Sequence, residues 1–279
     1  MEQNQDSKFE AAFLPITSIG SGMGVLVLPD VFCYTNQIVN LAVVGTKDDF
    51  VLVDTGMPKS ADEITEMITE HFDGEARPSA IVLTHGHFDH VGSLVELLEK
   101  WRVPVYAHEM ELPYLTGKKD YPPGDPGVDS GLVAKMSPMF PNHGINVGEQ
   151  VERLPQDGSI PHMPGWKWIH TPGHTPGHIS LFREHDRALI AGDAFVTVKQ
   201  ESLYKVLTQT QEISGPPRYY TTDWNAAFES VKTLEALKPE FAVTGHGIPM
   251  NGEELRENLS YLVANFNEIA KPKNSRYTH

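Results

Sequence analysis

The chain has 279 residues, enough to bury a substantial core as one large domain or two small ones. Lys plus Arg total 22 against 37 Asp plus Glu, a formal charge of −15 with no basic stripe to offset it, so a phosphate backbone is repelled and nucleic acid is excluded as the expected partner. Cys33 is the only cysteine, which excludes an internal disulfide framework and any cysteine-cluster metal site.

In chain order, Met1-Glu-Gln-Asn-Gln-Asp6 lacks the basic start and apolar run of a secretory signal. No stretch approaches about 20 consecutive apolar residues, so no membrane span is expected and the expected setting is cytoplasmic. Phe50-Val-Leu-Val53 reads as a short buried strand. Ser60 and Glu63 form a capping-box start, after which Ile64, Met67, Ile68 and Phe72 recur at helical spacing. Ala80-Ile-Val-Leu83, Ala188-Leu-Ile-Ala191 and Phe241-Ala-Val-Thr244 repeat the strand signature. Asp223 is a natural N-cap for a helix carrying Trp224, Ala227, Phe228, Val231 and Leu234. Leu255, Leu259, Leu262, Val263 and Phe266 mark a last amphipathic helix. This strand–helix rhythm predicts an α/β sandwich. Residues 114–165 and 199–222 break it, reading as long loops that are either pocket walls or plain surface excursions.

The chemistry concentrates in Thr84-His85-Gly86-His87-Phe88-Asp89-His90, directly after a predicted strand. Nothing about folding requires three imidazoles and a carboxylate there, because each would have to be satisfied at a strand end. His85 and His87 point the same way in an extended or turn conformation and can reach one ion. Asp89 and His90 are expected to open the next helix and to reach a second ion. Further along, His170-Thr-Pro-Gly-His174-Thr-Pro-Gly-His178, Gly192-Asp193 and Gly245-His246 each set a ligand-type side chain beside a glycine at the end of an apolar run. Each is weak alone, since a lone Gly-Asp is usually a turn. Together they make a nitrogen and oxygen donor set without thiolate, which suits Zn²⁺, with Fe or Mn as competitors.

The ordered motifs His85-x-His87-x-Asp89-His90, Thr-Pro-Gly-His174, Gly-Asp193 and Gly-His246 resemble those of the metallo-β-lactamase superfamily, from about Val51 to Gly247. The resemblance implies an αβ/βα four-layer sandwich, one domain over 1–279, with insertions at about 114–165 and 199–222. It implies two ions, expected to be Zn²⁺. His85, His87 and His174 would hold the first, Asp89, His90 and His246 the second, and Asp193 would bridge. Asp54 would accept a hydrogen bond from a ligand imidazole and set its tautomer. His178 either supports a ligand in the same way or simply packs.

Comparison with branches of the superfamily narrows the choice. Asp193 is present and Cys33 lies outside every motif, unlike the true β-lactamases. Glyoxalase II is similar through the metal motifs, but Gly247-Ile248 follows the last histidine here. N-acyl homoserine lactonases resemble residues 53–58 and the doubled Thr-Pro-Gly-His, yet Phe195 and then Tyr204 follow the bridging aspartate. Two ions about 3.5–4 Å apart can share a water of lowered pKa. The resemblance therefore implies hydrolysis of a small ester, thioester or lactone, with Asp89 also passing a proton to the leaving group. The alternatives are a mononuclear iron enzyme like the persulfide dioxygenases and a non-catalytic binding module. Met136, Met139, Phe140, Arg218, Tyr219 and Tyr220 are the candidate pocket wall for a small-molecule substrate, Arg218 as its anion- or carbonyl-binding group. An oligomer is compatible with the sequence, which does not specify the oligomeric state.

Overall fold

The computed structural model describes residues 17–129, 131–200 and 202–277. Four strands begin the first sheet: β1 (Gly24–Leu28), β2 (Val31–Asn36), β3 (Val39–Thr46) and β4 (Asp49–Val53). Helix α1 (Ala61–His71) leads to β5 (Ala80–Val82), α2 (Leu94–Trp101) leads to β6 (Val105–Ala107), and β7 (Val151–Arg153) completes that sheet. Its order is β1-β2-β3-β4-β5-β6-β7, antiparallel through β4 and parallel from β4 to β7. The second sheet combines β8 (Trp166–His170), β9 (Ile179–Arg183), β10 (Ala188–Gly192), β13 (Phe241–Thr244) and β14 (Met250–Asn251), in the order β14-β13-β10-β9-β8. Helices α6 (Trp224–Ala236), α7 (Gly252–Ala264) and α8 (Phe266–Ile269) follow the later strands.

Strand alternation sorts side chains into three apolar seams. Ala42, Val44, Val51, Val53, Ala80 and Val82 of the first sheet face Trp166, Ile179, Leu181, Ala188, Ile190 and Val243 of the second. The opposite face of the first sheet, with Leu41, Val43, Phe50, Leu52 and Ile81, packs under Ile64, Met67, Ile68, Leu94, Leu97 and Trp101 of α1 and α2. Phe182, Leu189, Ala191 and Ala242 on the outer face of the second sheet meet Trp224, Val231, Leu234, Leu255, Leu259 and Phe266. The layers therefore run helix, sheet, sheet, helix, the αβ/βα sandwich expected. Among the described residues no helix is long and apolar enough to cross a membrane.

Three expectations are corrected. Ser60 makes no side-chain cap; its N–H donates to Ser93 Oγ at 2.8 Å, while Glu63 accepts from the Tyr34 hydroxyl at 2.7 Å instead of turning back on the helix start. Asp89 and His90 do not open a helix, because residues 88–92 form turns in which the His90 and Val91 amides both donate to His87 O, and α2 begins only at Leu94. The two long segments are not bare loops. The first begins within α3 (Leu112–Leu115) and contains α4 (Leu132–Met136) and β7, and the second contains α5 (Leu203–Thr208) and β12 (Gln211–Ser214), which pairs with β11 (Val196–Val198). By contrast Asp223 caps α6, its Oδ1 accepting from the amides of Asn225 and Ala226 at 3.0 and 2.9 Å.

Candidate metal centre

The candidate ligands sit where strands of both sheets end. Residues 84–90 continue from β5, Asp193 follows β10, His246 follows β13, and His174 lies in the turn between β8 and β9. Hydrogen bonds join the two sheets at this edge. The Ile179 amide at the start of β9 donates to Thr84 O at 3.0 Å, and the Asn40 amide in β3 donates to Gly245 O at 2.7 Å. The Asn40 side-chain amide further donates to Thr244 O and Gly247 O, so a residue of the first sheet shapes the turn that presents His246. Gly192 has φ +55° and an added Cβ would lie 2.7 Å from His178 Nε2, so the approach to Asp193 requires glycine.

Hydrogen bonds at the far side of each ring set its tautomer. Thr84 Oγ1 donates to Asp54 Oδ2 at 2.7 Å, leaving its oxygen to accept from His85 Nδ1 at 3.1 Å. Thr221 Oγ1 donates to Pro217 O and so accepts from His174 Nδ1 at 3.1 Å. His246 Nδ1 donates to Ile38 O at 2.9 Å and His90 Nδ1 to Asp54 Oδ2 at 2.8 Å. In all four rings Nε2 is left facing inward. There Asp193 Oδ2 lies 3.4 Å from His174 Nε2, 3.4 Å from His246 Nε2 and 3.6 Å from His90 Nε2. Asp89 Oδ2 is 3.4 Å from His246 Nε2, and His87 Nδ1 is 2.9 Å from His174 Nε2. Three overlapping groups could each hold an ion: His85, His87 and His174; His85, His90 and Asp193; Asp89, His90 and His246. Buried His85 Nε2, His90 Nε2 and Asp193 Oδ1 have no hydrogen-bond partner. Orphaned polar atoms at this depth are costly, and a cation would satisfy them together, so the residues fit divalent ions.

The profile of the metallo-beta-lactamase superfamily matches residues 34–246. The chain belongs to this superfamily. It is 49% identical over 260 residues to the probable metallo-hydrolase YflN of Bacillus subtilis (strain 168), covering 92% of this chain and 98% of that protein. A second relative from the same organism, the probable metallo-hydrolase YybB, is 30% identical over 213 residues, covering 76% of this chain and 82% of YybB. Among solved structures, TTHA1623 in a di-iron-bound form aligns with a TM-score of 0.53 and 27% identity, over 85% of this chain and 98% of that one.

Electrostatics divide this metallo-beta-lactamase superfamily site in two. Burial, with the neighbouring imidazoles, holds His85 and His174 well below the ordinary histidine range, and burial lowers His87 to about 4. These rings are neutral at physiological pH, the state a metal ligand needs. Burial also opposes charge on His90 and His246, but Asp193, Asp54 and Asp89 prevail at His90 and raise it well above its usual value. Asp193 and Asp89 likewise lift His246 to about 10. Burial disfavours charge on Asp193, yet His246 and His90 hold it well below the usual carboxylate range. Where the carboxylates gather, protons thus take the place a metal cation would fill.

The other expected site residues divide. His178 is not among the ligand groups: its Nε2 accepts from the Asp193 amide at 2.9 Å, holding the backbone at Asp193, while its Nδ1 donates to Thr171 Oγ1 at 2.9 Å and so fixes the ring. Burial keeps this ring neutral, at about 3. Tyr220 stacks on His87 with ring centres 4.6 Å apart, and Tyr219 packs with Tyr220, Phe88 and partly buried Phe140. Met139 is exposed. Arg218 departs from the expected pocket wall. Its guanidinium donates to Ala270 O, Ile269 O and Asp129 Oδ2 at 2.8, 2.7 and 3.0 Å, tying both long segments to the C-terminal helix. Sequence reading missed Asn40, Thr221 and Ile38, whose only local signal is ordinary polarity or none.

Proposed function

We propose that the protein is a metal-dependent hydrolase that binds two divalent ions, zinc foremost, and cleaves a small ester, thioester or lactone. The observation that carries this reading is the convergence on Asp193 Oδ2 of three imidazole Nε2 atoms, His90, His174 and His246, with Asp193 Oδ1 left unpartnered. His85, His87 and His174 are the proposed ligands of one ion, Asp89, His90 and His246 of the other, and Asp193 the carboxylate between them. Ions bound so close would polarise the substrate carbonyl and supply hydroxide at neutral pH.

The remaining work falls to the chain's own groups. Asp54, Thr84, Thr221 and the Ile38 carbonyl engage Nδ1 of the four rings and keep Nε2 aimed inward, where a cation would displace the proton from His90 and His246. Asp89 is the most accessible member of the set, at 7% exposure, and is placed to receive a proton and return it to the leaving group. Tyr220, stacked on His87 and packed with Tyr219, Ile38, Met57 and Val206, buttresses that ring from its apolar side. The names of YflN and YybB support hydrolysis, and the di-iron form of TTHA1623 supports a two-ion site while keeping iron as a competitor for zinc.

The test is metal analysis joined to an assay of the zinc-loaded protein on a thioester, a lactone, a phosphodiester and a β-lactam, beside His87→Ala. Two ions per chain and turnover of the thioester or lactone, lost in His87→Ala, are expected. One iron per chain with oxygen consumption would overturn the reading in favour of a mononuclear dioxygenase.

A further inference from the structure

Glu111 is a fully buried carboxylate outside every ligand motif. It lies just before α3, ahead of the first of the two long segments. Its Oε2 accepts from the Gly86 amide at 3.1 Å and from the Tyr121 hydroxyl. Its Oε1 accepts from Thr175 Oγ1 at 2.7 Å and from the Gly177 amide at 2.8 Å. Gly86 separates His85 from His87, and Thr175 and Gly177 follow His174. One carboxylate therefore holds both strings of residues that would share an ion. The approach is close: a Cβ on Gly177 would lie 2.8 Å from Glu111 Cγ and Oε1, so no larger residue fits against it. The Tyr121 hydroxyl also accepts from the Gly86 amide at 3.1 Å, and its ring packs against His87 with centres 4.6 Å apart.

We propose that Glu111 is a positioning residue of the metal centre, its two carboxylate oxygens clamping the His85–His87 turn to the His174 turn and so setting the spacing of the three imidazoles for one ion. The proposal rests on the reading of those imidazoles as ligands. An ionised carboxylate suits the task because it offers two oxygens, each able to accept two hydrogen bonds, and every donor around it is an N–H or O–H. Replacing one oxygen with an amide group presents N–H to one pair of donors and releases one of the two turns. Of the second ion's proposed ligands, His90 is held through Asp54 and His246 through Ile38, and the hydrogen bonds of Glu111 go to Gly86, Tyr121, Thr175 and Gly177 instead.

The experiment is zinc titration against a chromophoric chelator, with far-UV circular dichroism and thermal melting as checks on the fold, for wild type, Glu111→Gln and Tyr121→Phe. In Glu111→Gln one of two zinc ions should weaken by about 10–100-fold while the other changes by less than about threefold, the size expected when a partner of a ligand-bearing loop is lost. Tyr121→Phe removes one donor and should weaken the same ion less, which preserves the test if Glu111→Gln fails to fold. In a His174→Ala background, where that ion is already compromised, Glu111→Gln should add nothing for the remaining ion. Wild-type affinity for both ions in a folded Glu111→Gln, or equal loss of both, overturns the proposal. If the wild-type chain takes up one ion only, the two-ion reading fails, and Glu111 is judged on that ion alone: unchanged affinity in Glu111→Gln overturns it.

Discussion

Asp54 Oδ2 lies 2.8 Å from His90 Nδ1, and Asp54 holds this position with φ at +62°. Its other carboxylate oxygen accepts the Thr84 amide at 2.8 Å, so one residue at the end of β4 anchors both the start of the His85–His90 turn and its last imidazole. A left-handed backbone at a buried, non-glycine residue is strain retained where the surrounding contacts over-determine it, and aspartate is among the few residues that tolerate it.

Asp54→Asn keeps that tolerance but removes the charge beside His90. Metal affinity is expected to fall by about 10–100-fold, with the fold retained, since partners of this kind orient a ligand and raise its basicity. Chelator competition with melting curves checks it.

His174→Ala and His246→Ala address the two proposed ion sites separately. Each is expected to lower the bound metal from two ions to one, and hydrolysis is expected to collapse in both because the proposed chemistry uses the pair. Metal analysis after gel filtration, followed by the hydrolase assay, reads the outcome.

Arg218→Ala is expected to act on stability. Its guanidinium bonds two backbone carbonyls of the C-terminal helix and Asp129, so losing it should cost about 2 kcal/mol, in the range for hydrogen bonds from a charged donor. Zinc affinity and KM for an anionic substrate should stay unchanged. A rise in KM with the melting temperature intact would return Arg218 to the pocket.

Arg183 lies between Asp30 and Asp186, donating from Nη2 to Asp30 Oδ1 at 2.9 Å and to Asp186 Oδ2 at 2.6 Å. Its hydrogen bonds hold Asp30 below the usual carboxylate range; at Asp186 partial burial opposes charge, but Arg183 prevails and lowers that group too. Folded values below the unfolded ones mean that this stabilisation is complete above about pH 4 and is lost as pH falls through the folded values. Arg183→Met should therefore be less stable than wild type at pH 7, with the gap closing in acid. Denaturant melts at pH 7 and at pH 3 measure the difference.

The residues with metal-binding chemistry were legible in the chain because their signal is local. Imidazoles and carboxylates stand beside glycine at the ends of short apolar runs, and those runs are the observed strands near Phe50, Ala80, Ala188 and Phe241. The cap at Asp223 was legible for the same reason, since donor and acceptor are two and three residues apart. The cap at Ser60 followed equally local logic and failed, because Tyr34 and Ser93, distant in sequence, took the partners that a capping box would have used.

By itself, then, the sequence determined which imidazoles and carboxylates are candidate ligands, the α/β layering and the order in which those candidates arrive. Tertiary structure alone decided that His178 supports Asp193 from beneath, that Arg218 turns to the C-terminal helix, and that Asn40 and Glu111 reach turns 204 and 64 residues away. Local periodicity sets which face of a strand or helix is apolar, but hydrogen-bond partners across two packed sheets depend on how the sheets face each other, and no short window of residues encodes that.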